Sequence, residues 1–378
     1  MVVAVFNSTS VDWPTRAPAI VRLNSGVLLA FAASLCSQAS PSTCEFDANR
    51  VKPQTWLSRS ADHGSTWTAP TLLAVPDGYE GPQPIYDPRS DTVFVMLSWL
   101  YPSESPGPAV KHCSRCVRSF ITSRDAGVTW SPISNISSVN TTKPGGDPSL
   151  DGLGLTHGIA LRSGHLASPL RDSSCRDDCP PLGTDKCSLQ LSSDAGASWA
   201  EGGTAPFGGE SALCELHNGS LLLTARGDGT HHFARSDDGG GSWAAAWSTT
   251  ALGLNTQASL VCVPSATNGT DVYFLTPAYF GGAGCFGAEP QPAAPTPDPV
   301  EHAQPNNHNR CNLTISVSED GGQSWASHAL VYAGLGGYSD MAWLPEINAI
   351  GVLFERGVEG PQGMQYVGVS FTVVKVKG

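Results

Sequence analysis

The 378-residue sequence predicts an all-β fold built from many short strands. Glycine and proline together account for 70 of the 378 residues, which is too many for a protein of long helices. An eight-residue turn motif recurs five times, and a run of strand-forming residues precedes each copy. Because 40% of the residues are apolar, the chain can bury a sizeable core, and disorder is excluded.

The repeated motif has the pattern Ser-x-Asp-x-Gly-x-(Thr/Ser)-Trp. An Asp side chain can accept hydrogen bonds from nearby backbone amides and glycine allows positive φ, so each copy predicts a hairpin turn. The tryptophan would pack the turn against a neighbouring element. Recurrence in five units favours a structural role for these aspartates over catalysis or calcium binding. The copies span residues 60–67, 123–130, 192–199, 236–243 and 318–325.

The spacing of the motifs predicts how the strands are grouped. Their aspartates are 63, 69, 44 and 82 residues apart, which is close to one four-stranded blade per interval, with inserts. Five units with the motif and one C-terminal unit without it predict a six-bladed β-propeller, a single domain over residues 1–378. The Pro-, Ala- and Gly-rich stretch 281–309 is expected to be a loop insert within a blade. The last strand should pair with residues 2–6 and close the ring.

Charge and cysteine content limit the partners and the compartment. The net charge of −12, with no run of Lys or Arg, argues against a nucleic-acid partner. No apolar run reaches the roughly 20 residues of a transmembrane helix. Eleven cysteines and six Asn-x-Ser/Thr sites favour the secretory pathway, as a secreted or lysosomal protein, although no signal peptide is seen. The local cysteine groups are Cys36/Cys44, Cys113/Cys116, Cys175/Cys179/Cys187 and Cys285/Cys311. Zinc binding at Cys113 and Cys116 is the weaker alternative to a disulfide there, because no second pair has matching spacing.

Outside the turns, charged and aromatic residues occur in a characteristic order along the chain. They are Arg16 in Thr-Arg-Ala-Pro, an acidic residue in the loop 34–52, Glu210 and Arg226 at the two ends of one motif, Arg310, Tyr338 and Glu355. Together with the repeated turns, this order resembles the sialidase (neuraminidase) superfamily, the exo-α-sialidases with Asp-box (BNR) repeats. The resemblance covers residues 13 to about 374, and it departs from the family at Ala17, where isoleucine is usual.

The resemblance implies that Arg16, Arg226 and Arg310 bind the carboxylate of a sialic acid. Guanidinium groups bind carboxylates through charge-assisted, often bidentate hydrogen bonds. Considered singly, each arginine would more often be a surface residue. The implied substrates are sialylated glycoproteins, glycolipids or oligosaccharides.

The resemblance also implies the catalytic groups. Tyr338 would be the nucleophile, since a carboxylate nucleophile would be repelled by the carboxylate of the substrate. Glu210 would accept its proton, with Glu215 as the competing base. Asp47 would be the general acid and base, with Glu45 as the alternative. Glu355 would pair with an arginine, Arg16 being the expected one.

No cofactor or metal is expected, because the sequence has no phosphate-binding loop and the implied mechanism needs none. The Gly-rich segment 154–159 either lines the pocket or is a turn without a ligand role. The predicted function is retaining exo-α-sialidase activity. The alternatives left open are a sialic-acid-binding lectin with weak or no catalysis, a trans-sialidase and an enzyme that prefers the deaminated sugar Kdn.

Overall fold

The fold was analysed in a computed structural model of the chain. The structure describes residues 1–7, 15–34, 54–75, 79–100, 116–136, 151–172, 186–227, 230–249, 252–253, 256–267, 269–280, 310–360 and 363–377. These residues form 24 β-strands and one short 3-10 helix, Pro345–Ile347, so the predicted all-β class is confirmed. No helix in this part of the chain is long and apolar enough to cross a membrane.

The chain begins with β1 (Val3–Asn7) and then forms four small antiparallel sheets. The first contains β2 (Thr15–Arg22), β3 (Leu28–Ser34), β4 (Gln54–Ser60) and β5 (Thr71–Leu72). The second contains β6 (Tyr79–Asp87), β7 (Thr92–Leu100), β8 (Cys116–Ser123) and β9 (Ser134–Asn135). The third contains β10 (Asp151–Leu153), β11 (Ile159–Ala160), β12 (Leu166–Asp172), β13 (Lys186–Ser192) and β14 (Ala200–Glu201). The fourth contains β15 (Ser211–Glu215), β16 (Leu221–Arg226), β17 (His231–Ser236) and β18 (Trp247–Thr249).

The remaining strands form one seven-stranded sheet. They are β19 (Ser259–Ser265), β20 (Gly269–Phe280), β21 (Arg310–Ser318), β22 (Ala326–Leu344), β23 (Ala349–Gly360) and β24 (Gly363–Lys375), together with β1. The first half of the 19-residue β22 pairs with β21, and its second half pairs with β23. The prediction of six separate four-stranded blades is therefore wrong: the structure has four small sheets and one large one. The reason is β22, which continues without a break from one set of strands into the next.

The sheets have a propeller-like arrangement in which apolar faces of neighbouring sheets pack together. Leu29 of the first sheet and Val95 of the second are buried in one cluster, and Leu189 of the third shares another with Leu223 of the fourth. Strand β1 pairs antiparallel with β24, so the predicted pairing of the last strand with the first strand of the sequence is confirmed. The predicted insert 281–309 lies outside the described residues.

The five repeated motifs form the predicted hairpin turns. In the first, Asp62 Oδ1 accepts hydrogen bonds from Ser60 Oγ at 2.8 Å and from the Thr66 backbone N–H at 2.9 Å, while Oδ2 accepts one from Thr66 Oγ1 at 2.6 Å. The other four turns repeat this pattern. In four of the five, these hydrogen bonds lower the pKa of the aspartate to about 2. Glycine is needed because a Cβ at Gly64, where φ is +85°, would lie 1.9 Å from the Phe371 ring.

A disulfide joins Cys214 of β15 to Cys262 of β19, and so connects the fourth sheet to the seven-stranded one. It was not among the predicted cysteine groups. Each of those groups includes a cysteine outside the described residues, although Cys311 is also disulfide-bonded.

Candidate active site

Three arginines lie at one edge of the sheets because of where each falls in its strand. Antiparallel strands alternate in direction, so the starts of the first and third strands of a sheet lie at the same edge as the end of the second. Arg16 is near the start of β2, Arg226 ends β16, and Arg310 begins β21. The repeated turns follow the third strands and therefore lie at the opposite edge.

Glu355 is a fully buried carboxylate that holds Arg16 and the backbone around it. Arg16 Nε lies 3.2 Å from Glu355 Oε1, and Arg16 Nη2 lies 3.4 Å from Oε2. The backbone N–H groups of Ala17 and Tyr338 each donate to this carboxylate at 2.9 Å. The β2–β3 register shifts after Arg16, and Ala17 has a φ of +50°, so this irregularity turns the Ala17 N–H toward Glu355.

Tyr338 and Glu210 form the second part of the site. The Tyr338 phenol donates a short hydrogen bond to Glu210 Oε1, and Arg226 Nη1 donates to Glu210 Oε2 at 3.0 Å. Burial and the negative charge of Glu210 raise the pKa of Tyr338 above its usual value of 10, and the positive charges of the arginines oppose this shift. A Cβ at Gly209, where φ is +126°, would lie 2.2 Å from the Arg226 carbonyl oxygen, so glycine allows Glu210 and Arg226 to approach.

Arg310 is a buried cation with unused hydrogen-bonding capacity. Only 7% of its surface is exposed, and neither Nε nor Nη1 has a hydrogen-bond partner within the described part of the chain. Its guanidinium carbon lies 5.3 Å from the centre of the Tyr338 ring. The Arg16 guanidinium lies 5.1 Å from the same ring centre and 4.0 Å from that of Tyr366.

The cluster therefore has an excess of positive charge around a phenol. It combines three guanidinium groups with the carboxylates of Glu210 and Glu355, within a protein whose net charge is −12. Buried N–H groups without partners, as in Arg310, are rare in folded proteins. The arrangement is suited to an anionic ligand that would bind beside Tyr338 and accept the remaining guanidinium hydrogen bonds. No group of three or more His, Cys, Asp or Glu side chains among the described residues is arranged to hold a metal ion.

The model of the BNR repeat-like domain matches residues 98–347, about two thirds of the sequence. The chain belongs to the BNR repeat-like domain family. Together with the relatives described next, this match confirms the predicted resemblance to the sialidase superfamily with BNR repeats.

Individual relatives of this BNR-repeat chain include a curated sialidase of Bacteroides fragilis (strain YCH46). It is 28% identical over 337 residues, which cover 80% of this chain and 54% of the relative, so the chain spans about half the length of that protein. Among solved structures, the Hadza microbial sialidase Hz136 has a TM-score of 0.71 at 22% identity, covering 96% of this chain and 66% of its own. A Trypanosoma rangeli sialidase has a TM-score of 0.67 at 16% identity; the match covers 98% of this chain and 54% of the T. rangeli chain. A leech intramolecular trans-sialidase has a TM-score of 0.67 at 14% identity; the match covers 98% of this chain and 70% of the leech chain. At these identities the structural matches show the fold alone.

The structure brings six of the seven predicted site residues into this cluster; they are Arg16, Arg226, Arg310, Glu210, Tyr338 and Glu355. The seventh, Asp47, lies outside the described residues, as does its alternative Glu45. Glu215, the competing base, is elsewhere: its carboxylate accepts the Arg162 backbone N–H at 2.9 Å and lies 3.4 Å from Arg162 Nε.

Sequence reasoning missed the residues that surround the backbone of Tyr338. Asp340 is fully buried, and its Oδ1 lies 2.8 Å from His157 Nδ1. Burial by itself would lower the pKa of His157, but the charge of Asp340 and its hydrogen bond to the ring together outweigh burial and raise the pKa above its usual value of 6.5. His157 belongs to the Gly-rich segment 154–159, whose role was left open. The sequence signal for Asp340 is weak: it is a carboxylate directly before the apolar run 341–344.

Proposed function

We propose that the protein is a retaining exo-α-sialidase that hydrolyses terminal α-linked sialic acids of glycoproteins, glycolipids or oligosaccharides. The observation that carries this proposal is the hydrogen bond from Tyr338 to Glu210 inside a cluster of three arginines. A sialic acid has its carboxylate on the anomeric carbon. A site that binds this carboxylate beside a nucleophile therefore also positions the carbon to be attacked.

Substrate binding would use the guanidinium groups of Arg16, Arg226 and Arg310. Arg16 is held in orientation by Glu355, so little side-chain freedom is lost on binding. Arg310 has two buried N–H groups without partners among the described residues, and the substrate carboxylate would accept hydrogen bonds from them.

In the first chemical step, the Tyr338 oxygen attacks the anomeric carbon and its proton passes to Glu210 Oε1. Burial and the charge of Glu210 keep the phenol protonated in the free protein. Proton transfer leaves Glu210 neutral, so the charge that disfavours phenolate disappears while the three arginines remain. The bond from the anomeric carbon to the departing sugar breaks at the same time, and Asp47 protonates the leaving oxygen.

In the second step, water attacks the anomeric carbon of the sialyl-tyrosine intermediate, and Asp47 accepts the proton of the water. The bond to Tyr338 breaks and the phenol recovers its proton from Glu210. Two displacements at the same carbon give net retention of configuration. The B. fragilis relative is a sialidase, which supports the proposed activity. A T. rangeli sialidase of similar fold was solved with 2,3-difluorosialic acid as a covalent intermediate, which supports a covalent step.

The direct test is release of 4-methylumbelliferone from its α-sialoside. We expect turnover by the wild-type chain, and turnover at background level for Tyr338→Phe and for Glu210→Ala. Tyr332→Phe is the matched control, because this tyrosine lies in the same strand but packs on Phe354 in an apolar core cluster. Near wild-type turnover by a folded Tyr338→Phe protein would refute the mechanism.

Sialyllactose, incubated with and without excess lactose, distinguishes the alternative functions. Free sialic acid in both incubations supports hydrolysis, whereas sialic acid transferred to added lactose indicates a trans-sialidase. Binding without release of sugar indicates a lectin. A parallel incubation with the Kdn-containing analogue measures the preference between the two sugars.

A further inference from the structure

The backbone of β22 on the C-terminal side of Tyr338 is held from neighbouring elements by two buried polar side chains. The first is Gln257, which is fully buried at the entry to β19. Its Oε1 accepts the backbone N–H of Ser339, and its Nε2 donates to the Ser339 carbonyl, both at 2.9 Å. The Gln257 side chain thus bonds both backbone polar groups of the residue that follows the tyrosine.

The second is Asp340, whose carboxylate is also fully buried and accepts four hydrogen bonds. Its Oδ2 accepts the backbone N–H groups of Ile20 at 3.0 Å and of His157 at 3.1 Å. Its Oδ1 accepts the backbone N–H of Met341 at 3.0 Å and is 2.8 Å from His157 Nδ1. His157 is the one side chain among these four contacts.

These contacts connect two strands that carry residues of the site. Ile20 lies on β2, four residues after Arg16, and Asp340 lies on β22, two residues after Tyr338. A single carboxylate therefore joins the strand that carries an arginine of the cluster to the strand that carries the tyrosine. The segment that carries His157 is itself closely packed, because a Cβ at Gly158 would lie 2.7 Å from the Ala167 carbonyl oxygen. This packing helps to hold His157 in position beside Asp340.

We propose that His157 and Asp340 are positioning residues that keep the Tyr338 phenol on Glu210. The proposal rests on the proposed function, in which Tyr338 is the nucleophile. Without the His157 hydrogen bond, a buried carboxylate oxygen loses a donor and β22 can shift to recover one. A displacement of about 1 Å at a reacting group lowers the rate about 100-fold.

The test compares His157→Leu with His157→Asn. The Asn side chain places an N–H donor near the position of Nδ1, whereas Leu has none and is of similar bulk. For His157→Leu we expect kcat to fall about 100-fold with KM close to the wild-type value, since Arg16, Arg226 and Arg310 remain. His157→Asn should recover most of the lost kcat.

A second measurement does not depend on activity. With tyrosine labelled with ¹³C at Cζ, the resonance of Tyr338 is identified by its absence from Tyr338→Phe. We expect this resonance to shift in His157→Leu and to stay near its wild-type position in His157→Asn. Asp194→Asn is the control, because it weakens a repeated turn at the opposite edge and should leave both kcat and the resonance unchanged.

A purely structural role for the pair predicts a different result. His157→Leu would then lower the unfolding temperature but would have wild-type kcat and an unshifted resonance while folded, and this outcome overturns the proposal. An equal loss of kcat in His157→Asn and His157→Leu also overturns it. Failure of the proposed function is distinguished by the wild-type chain, which would then release no sialic acid whatever the Tyr338 resonance shows.

Discussion

Replacement of Arg310 by methionine should separate function from stability. Arg310 is 93% buried, and its Nε and Nη1 have no partner among the described residues. Methionine keeps an unbranched chain that can fill the same space without charge. The variant therefore removes hydrogen-bond donors that the folded protein does not use and that the proposed substrate would need.

The size of the functional loss follows from the two unused N–H groups. A hydrogen bond to a charged group contributes about 1.5–3 kcal/mol, so two such bonds to the substrate carboxylate contribute about 3–6 kcal/mol. Because about 1.4 kcal/mol corresponds to a factor of ten, kcat/KM should fall about 10²- to 10⁴-fold in Arg310→Met. Arg310→Lys keeps the charge but lacks the planar fork, so its loss should be intermediate.

The effect on stability should have the opposite sign. A buried polar group without a partner costs about 1–3 kcal/mol of folding free energy, and an apolar side chain of similar size removes this cost. We therefore expect the free energy of unfolding of Arg310→Met to equal or exceed that of the wild type by up to about 3 kcal/mol.

The assay is hydrolysis of the methylumbelliferyl sialoside, with urea unfolding of the same preparations. Arg235→Met is the matched control, since its Nε is also buried without a partner in the described part of the chain. Its Nη2 donates to Gly321 in a repeated turn at the opposite edge. The control should retain wild-type kcat/KM. Wild-type kcat/KM in a folded Arg310→Met protein, or a loss of activity explained entirely by its unfolding, would refute the reasoning.

Three further predictions concern pH, the disulfide and one glycine. In four turns the pKa of the aspartate is about 2, against 3.8 ordinarily, so these carboxylates contribute stability that is complete above about pH 4 and is lost as the pH falls through about 2. Asp194→Asn should weaken this pH dependence of stability in acid titrations followed by circular dichroism. An unchanged titration curve would contradict the prediction. Replacing Cys214 and Cys262 by alanine should lower the free energy of unfolding by about 4 kcal/mol, because the disulfide closes a loop over a separation of 48 residues. Urea titrations measure this difference, and equal unfolding midpoints for the variant and the wild type would count against it. Gly337→Ala would place a Cβ 2.3 Å from Glu355 Oε2 and displace the carboxylate from its arginine, so kcat/KM should fall in a folded protein, and an unaltered value would disprove this.

The elements predicted well from the sequence are those with local causes. Each repeated turn is held by hydrogen bonds between residues two to four positions apart, so the eight residues of the motif largely determine the conformation of the turn. The count of separate sheets depended on where strands end, and nothing in the sequence indicated that β22 runs through 19 residues and pairs on both sides. The Cys214–Cys262 disulfide was missed because the partners are 48 residues apart and meet only when two sheets pack.

The same distinction applies to the site. The arginines, Tyr338 and Glu355 could be predicted because each lies in a recognisable strand motif. Gln257 and His157 contact the backbone and side chains of β22 over 82 and 183 residues, and neither belongs to a motif that indicates a partner. Their roles became apparent only from the packing of distant strands around the tyrosine.

The central claim is that the phenol of Tyr338 forms a covalent bond to the anomeric carbon of a sialic acid. Incubation with 2,3-difluorosialic acid tests it directly: Tyr338 Oη would bond to C2, fluoride would leave, and the phenolic proton would pass to Glu210. After proteolysis, mass spectrometry should find a fluorosialyl adduct on the peptide that contains Tyr338, and none in Tyr338→Phe. An adduct on another residue, or no adduct from a preparation that hydrolyses the methylumbelliferyl sialoside, would contradict the account.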